Sequence, residues 1–176
     1  MANTSQQEKQ QTAAPREVAQ ALFDGVIKGD LTPMDTYTHP ECVDDFVAIG
    51  RFNGRDAIKG FFDELFTAFP DYRIEVERIT ADDDGAVVQW EATGTFTGGP
   101  FLGIEPNGRV VSVRGVDVME ISDGQVRYNT IYYDGATFAR AVGMLPRAGS
   151  MADRVVLQGF NVLTRLRAKL QQRRSA

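Results

Sequence analysis

Apolar residues recur every three to four positions between residues 15 and 69, and every second position between residues 72 and 133. The chain therefore reads as helices first and strands afterwards. Val18, Leu22 and Val26, beside Ala19, Phe23 and Ile27, form one stripe behind Pro15, with Gly29 as a C-terminal cap. A short helix begins at Thr32-Pro33, with Thr32 as N-cap, and ends near His39-Pro40. CVDDFVAIG reads as a short strand with irregular edges. In GRDAIKGFFDELFTAFP, Ile58, Phe61, Phe62, Leu65 and Phe69 share a wide face, and Pro70 lies just past the helix end.

From Tyr72 the period falls to two. Four strands follow: YRIEVERIT, AVVQWEATGTF, RVVSVRGVDVMEI and QVRYNTIYY. ADDDG joins the first pair and SDG the last. TGGPFLGIEPNG, between the second and third, is long and apolar for a surface connection, which suits a binding loop. Helices followed by sequential antiparallel strands give an α+β fold, with helices packed on one face of a curved sheet.

Asp123-Gly124 favours a two-residue type I′ turn. A plain ladder from that turn pairs Met119 with Tyr128, Asp117 with Thr130, Gly115 with Tyr132 and Val113 with Asp134. Opposed residues share a face. The less charged face then carries Asp117, Tyr128, Thr130, Tyr132 and Asp134, and should meet the helices. Carboxylates there need partners, protonation or a wet cavity. Gly115 leaves room for something to approach the sheet. The preceding strand adds Trp90 and Phe96 in alternation with Val88, Ala92 and Gly94. Aromatic walls with a few polar groups are the usual make-up of a small-molecule site.

Composition narrows the classes. The 176 residues are 43% hydrophobic and 24% charged, enough for one domain with a real core. A net charge of −5 argues against a nucleic-acid partner. No apolar run is long enough for a membrane-spanning helix, and MANTSQQEKQQTAA lacks the apolar stretch of a secretory signal. One cysteine, Cys42, precludes an internal disulfide, so a cytoplasmic location is expected. With a single histidine, His39, no metal site is expected. The division that follows is a disordered tail over 1–14, a domain over 15–146, and a linker with a basic amphipathic helix over 147–176. That helix suits either packing on the body or a dimer mate, or peripheral contact with a membrane surface.

GTFTGGPFLGIEPNGRVVSVRGVDVMEISDGQV, followed by YYDG and AVGMLP, resembles the SnoaL-like polyketide cyclases. GRDAIKGFFDELFTAFPDYRIEVE is similar to that family's central helix and first long strand. The resemblance spans roughly residues 15–146. It implies the NTF2-like cone, a deep apolar pocket, a homodimer, and ring closure by aldol chemistry without a cofactor. It also implies that the aspartate ending the last strand, Asp134, is the general acid/base. Where the family often carries His, His and Trp, this chain has Phe96, Asn129 and Thr130.

Each candidate has an alternative reading. Asp134 is a base or a helix N-cap, and Asp117 a second acid or a structural carboxylate. His39 is a pocket-mouth contact or a turn residue. Trp90, Tyr128, Tyr132, Phe96, Phe61 and Phe62 line the pocket or fill the core. Cys42 reads as a small buried apolar residue. The function expected is acid/base cyclisation or isomerisation of an apolar carbonyl compound. The alternatives are a non-catalytic carrier of a hydrophobic small molecule, or an interaction protein using the sheet and the last helix.

Overall fold

A computed structural model of the chain describes residues 13–174. Most of the tail expected over 1–14 lies outside the described residues, while Ala14 is the N-cap position of α1. Five helices and six strands follow in the order α1 (Pro15–Lys28), α2 (Pro33–Tyr37), β1 (Thr38–Phe46), β2 (Gly50–Asn53), α3 (Arg55–Ala68), β3 (Arg73–Ala81), β4 (Gly85–Thr95), β5 (Val110–Ser122), β6 (Gln125–Tyr133), α4 (Gly135–Ala141) and α5 (Met151–Arg174). The expected α+β class is the observed one. Thr32 starts α2 without a side-chain cap; instead its amide donates to Asp30 Oδ1 at 2.9 Å.

One six-stranded sheet runs β2-β1-β6-β5-β4-β3. Every neighbouring pair is antiparallel except β1 and β6, which are parallel. The segment CVDDF thus lies beside the last strand, a pairing that sequence order does not suggest. α1 packs on β3 and β4, and α3 on β1 and β2. Between these helices and the sheet lies a core of Val18, Leu22, Phe23, Ile58, Phe61, Val88, Met119 and Ile131. Phe101, from the loop between β4 and β5, enters this core edge-on to Phe69 and against Phe61. The loop is strapped to α3: Gly98 and Gly99 amides donate to the Ala68 and Thr67 carbonyls, and the Leu102 amide to Glu64.

The last hairpin departs from the plain ladder. Asp123 and Gly124 both have positive φ, 53° and 71°, as the type I′ turn requires. Ser122 pairs with Gln125 and Ile121 with Val126, as expected. Beyond that the register slips, and Tyr128 faces Glu120 rather than Met119. Arg127 is an extra residue, a β-bulge. Its guanidinium folds back over the turn, donating to Ser122 Oγ at 3.1 Å and to Asp123 Oδ2 at 3.1 Å. β1 breaks register at the same height, between Thr38 and Val43. A one-residue slip exchanges the two faces of a strand. Asn129, Ile131 and Tyr133 therefore point to the helices, while Tyr128, Thr130 and Tyr132 point away.

Among the described residues, α5 buries no apolar side chain against the body of the same chain. Val155, Val156, Phe160 and Leu163 remain more than half exposed. Among the described residues no helix is long and apolar enough to cross a membrane.

Candidate active site

Three neighbouring strands bring polar groups to one point of the apolar inner face. In β4, Trp90 sits opposite Gly115 of β5. A Cβ on Gly115 would stand 2.3 Å from the Trp90 ring, so the glycine makes room for the indole to lie flat across the strand. That places Trp90 Nε1 2.7 Å from Asp117 Oδ1, to which it donates. From β6, Asn129 Nδ2 donates to Asp117 Oδ2 at 2.9 Å. Each carboxylate oxygen of Asp117 thus accepts one hydrogen bond, though the residue is only 8% exposed.

A second acid faces the first. β1 alternates Cys42, Asp44 and Phe46 inward, so Asp44 projects from the strand beyond β6 and is 7% exposed. Its Oδ1 lies 3.9 Å from Cys42 Sγ, a weak thiol donor. Asn129 reaches toward Asp44 as well as Asp117. Its own Oδ1 is buried with no hydrogen-bond partner. A proton on Asp44 can satisfy that oxygen.

Burial raises both acids. Asp44 is pushed up to about 8 by burial and by the charge of Asp117, although Asn129 and Cys42 oppose this with hydrogen bonds. Asp117 is pushed up to about 6, burial again leading, and its bonds from Asn129 and Trp90 hold it lower than Asp44. Burial thus favours the protonated form of both acids, and of Asp44 more than Asp117. The Cys42 thiol is pushed up to about 12, first by burial and then by Asp44, so it is no nucleophile near neutrality.

These groups line a cavity of about 140 Å³ enclosed by α1, α3, α4 and the inner sheet face. Phe61, Phe62, Leu65, Phe101 and Phe138 supply apolar walls. Tyr72 and Tyr133 also line it, and burial raises both phenols, Tyr133 to about 12. Among the described residues neither hydroxyl has a hydrogen-bond partner, so both are free to donate to a guest. No three His, Cys, Asp or Glu side chains among the described residues converge closely enough to hold a metal ion.

Of the residues singled out in the sequence, Asp117, Trp90, Phe62 and Phe61 meet at this cavity. The others lie elsewhere. Tyr132 is 52% exposed on the outer sheet face. Tyr128, on that same face, donates to Asp45 Oδ2 at 2.8 Å, and Thr130 stands beside Asp45 and Val118. Phe96 is fully buried against Phe69, with ring centroids 5.0 Å apart. His39 lies at the start of β1, where its Nδ1 accepts from the Glu41 amide at 3.2 Å. Asp134 is exposed and caps α4, its Oδ1 accepting from the Thr137 amide at 3.0 Å and its Oδ2 from the Thr137 hydroxyl at 2.6 Å. Those bonds hold its carboxyl below the usual range. The bulge at Arg127 accounts for Tyr128, Thr130, Tyr132 and Asp134 together, since all four were placed inward on an unbroken ladder. Asp44, Asn129, Tyr72 and Tyr133 are the additions. Asp44 had a signal: the alternation of Cys42, Asp44 and Phe46 puts a carboxylate on an apolar face by the same rule that singles out Asp117.

The comparisons agree with this architecture. A family model for SnoaL-like polyketide cyclases matches residues 16–142. No curated protein sequence matches the chain significantly. Among solved structures, a candidate SnoaL-like polyketide cyclase from Jannaschia sp. CCS1 is 29% identical, covering 74% of this chain and 92% of its own, with a TM-score of 0.65. AclR, a candidate hydroxylase from Streptomyces galilaeus, is 23% identical over 90% of this chain and 95% of its own, TM-score 0.64. IdmH, a candidate polyketide cyclase from Streptomyces antibioticus, is 21% identical over 74% and 99%, TM-score 0.62.

Proposed function

The chain belongs to the SnoaL-like polyketide cyclase family, and from that premise we propose that it performs proton transfer on a small apolar carbonyl compound, using Asp44 and Asp117 as a pair. The observation that carries this reading is the pair itself: two buried acids, both raised by burial and Asp44 the more, in an apolar cavity, with Asn129 bonded to Asp117. Unequal acids divide the roles of base and acid between them.

Asp117, ionised near neutrality, takes a proton from the carbon beside the substrate carbonyl. The released electron pair moves onto the carbonyl oxygen. Asp44, still protonated, donates a hydrogen bond to that oxygen, with Tyr72 or Tyr133 as a second donor. The enolate carbon then attacks a second carbonyl of the same molecule, and the new alkoxide takes the proton held on Asp117. In an isomerisation that proton returns to a different carbon instead. Either way the pair ends as it began. This reading moves the acid/base role inferred for Asp134 to Asp44 and keeps it for Asp117.

A cavity of about 140 Å³ matches a guest of about one six-membered ring. The test is hydrogen–deuterium exchange beside the carbonyl of a small ring ketone, cyclohexenone, followed by NMR in D₂O. Asp117→Asn is expected to slow exchange by about 100-fold or more, while Asp134→Asn leaves it unchanged. Equal rates in wild type and Asp117→Asn would remove the proposal. The apolar lining also favours a second reading, a carrier of a hydrophobic molecule. In that case the ketone binds, Asp117→Asn binds it as well, and no exchange occurs in either.

A further inference from the structure

A separate groove of about 490 Å³ lies on the outside of the domain, between the start of β5, the end of α4 and the turn leading to α5. Its polar walls are three arginines, Arg109, Arg140 and Arg147, and its apolar walls are Val110, Ala141 and Ala148. The chain as a whole has a net charge of −5, yet this groove gathers three positive charges and no acid. None of the three guanidiniums forms an ion pair among the described residues. Asp134 feels the charge of Arg140, but only at a distance. Arg140 Nε is buried and has no hydrogen-bond partner.

The arrangement is held in place. The Arg109 amide donates to Asn107 Oδ1 at 3.1 Å, and Asn107 Nδ2 donates to the Val142 carbonyl at the end of α4. Arg109 thereby crosses above Gly143, whose Cβ, were there one, would stand 2.7 Å from Nη1. Gly143 has φ +85°, so the chain turns away immediately after α4 and opens the groove. Three like charges converging without a counter-ion repel one another. Guanidiniums present planar donor forks that match the oxygens of a tetrahedral anion.

We propose that this groove binds a phosphate group, with Arg109, Arg140 and Arg147 as its donors and Val110, Ala141 and Ala148 receiving the attached carbon skeleton. The phosphate could belong to a soluble ester or to a lipid headgroup; α5, which starts beside the groove, carries exposed apolar residues in either case.

The test uses the full chain at low ionic strength. Pyrophosphate binding is measured by titration calorimetry, and vesicle binding by co-sedimentation with phosphatidylcholine containing phosphatidic acid. Arg147→Gln and Arg140→Gln are compared with Arg165→Gln, which removes one charge from α5 and serves as the control. Pyrophosphate binding weakened tenfold or more by the groove variants, and little by the control, supports the site with a soluble ligand. The same pattern seen with vesicles alone supports the site with a lipid ligand. Absence of binding in both arms, or equal loss in the control and the groove variants, overturns the proposal. Arg147 is exposed, so its variant keeps the comparison meaningful even if Arg140→Gln folds poorly.

Discussion

Trp90, Gly115 and Asp117 form one unit. The indole reaches the acid only because position 115 has no Cβ, so Gly115→Ala should displace the ring and strip Asp117 of a hydrogen bond. A buried carboxylate losing a donor costs about 1–3 kcal/mol, and chemical denaturation of the variant measures it. The sequence made the vacancy at Gly115 visible but not its occupant, because the occupant comes from another strand. The two acids also give stability a pH dependence. Asp44 has an ordinary value of 3.8 and is raised to about 8 in the folded chain. Its contribution is therefore full below 3.8 and is lost as pH rises toward 8. Asp44→Asn lacks that loss, so its thermal midpoint relative to wild type should rise by several degrees between pH 5 and pH 8. A constant difference across that range contradicts the raised acid. Asp134 has the opposite sign, since its carboxyl is lowered by Thr137 and its capping contribution fades as pH falls.

Among the elements, the β6 strand decides where the site is. Its existence, length and turn were legible from Asp123-Gly124 and the alternation after it. Its faces were not, because the bulge inserts one residue just after the turn, and alternation alone carries no trace of it. The inserted residue is Arg127, bonded to Ser122 and Asp123. The bulged register is testable by truncation. Ile131→Ala should cost about 2–5 kcal/mol as a core deletion, whereas Tyr132→Ala should stay within about 0.5 kcal/mol. Reversed costs would restore the unbroken ladder. α3, β4 and β5 were legible for a simpler reason: long amphipathic repeats specify their own faces. The parallel pairing of β1 with β6 was hidden, since it joins segments some 80 residues apart, and it carried Asp44 out of view. The last helix was legible as amphipathic, but amphipathicity does not say which surface it meets. Ending the chain after Ser150 should leave the thermal midpoint of the domain unchanged, because among the described residues α5 contributes no buried side chain to it.

The whole molecule separates three surfaces by chemistry. The inner face and the helices bound an apolar chamber holding two buried acids. The arginine groove and α5 form a basic end. The outer sheet face exposes Val87 and Val118, a surface suited to the homodimer that the family resemblance implies. Light scattering then should give twice the 19.4 kDa of one chain, and Val118→Lys should return it to the single-chain mass. The account as a whole depends on the unequal acids of the chamber. Carbon-13 NMR titration of the aspartate carboxyls reads them directly. The predicted result is that Asp117 titrates near pH 6 and Asp44 near pH 8. Titration of both near pH 4, as for exposed carboxyls, would contradict it.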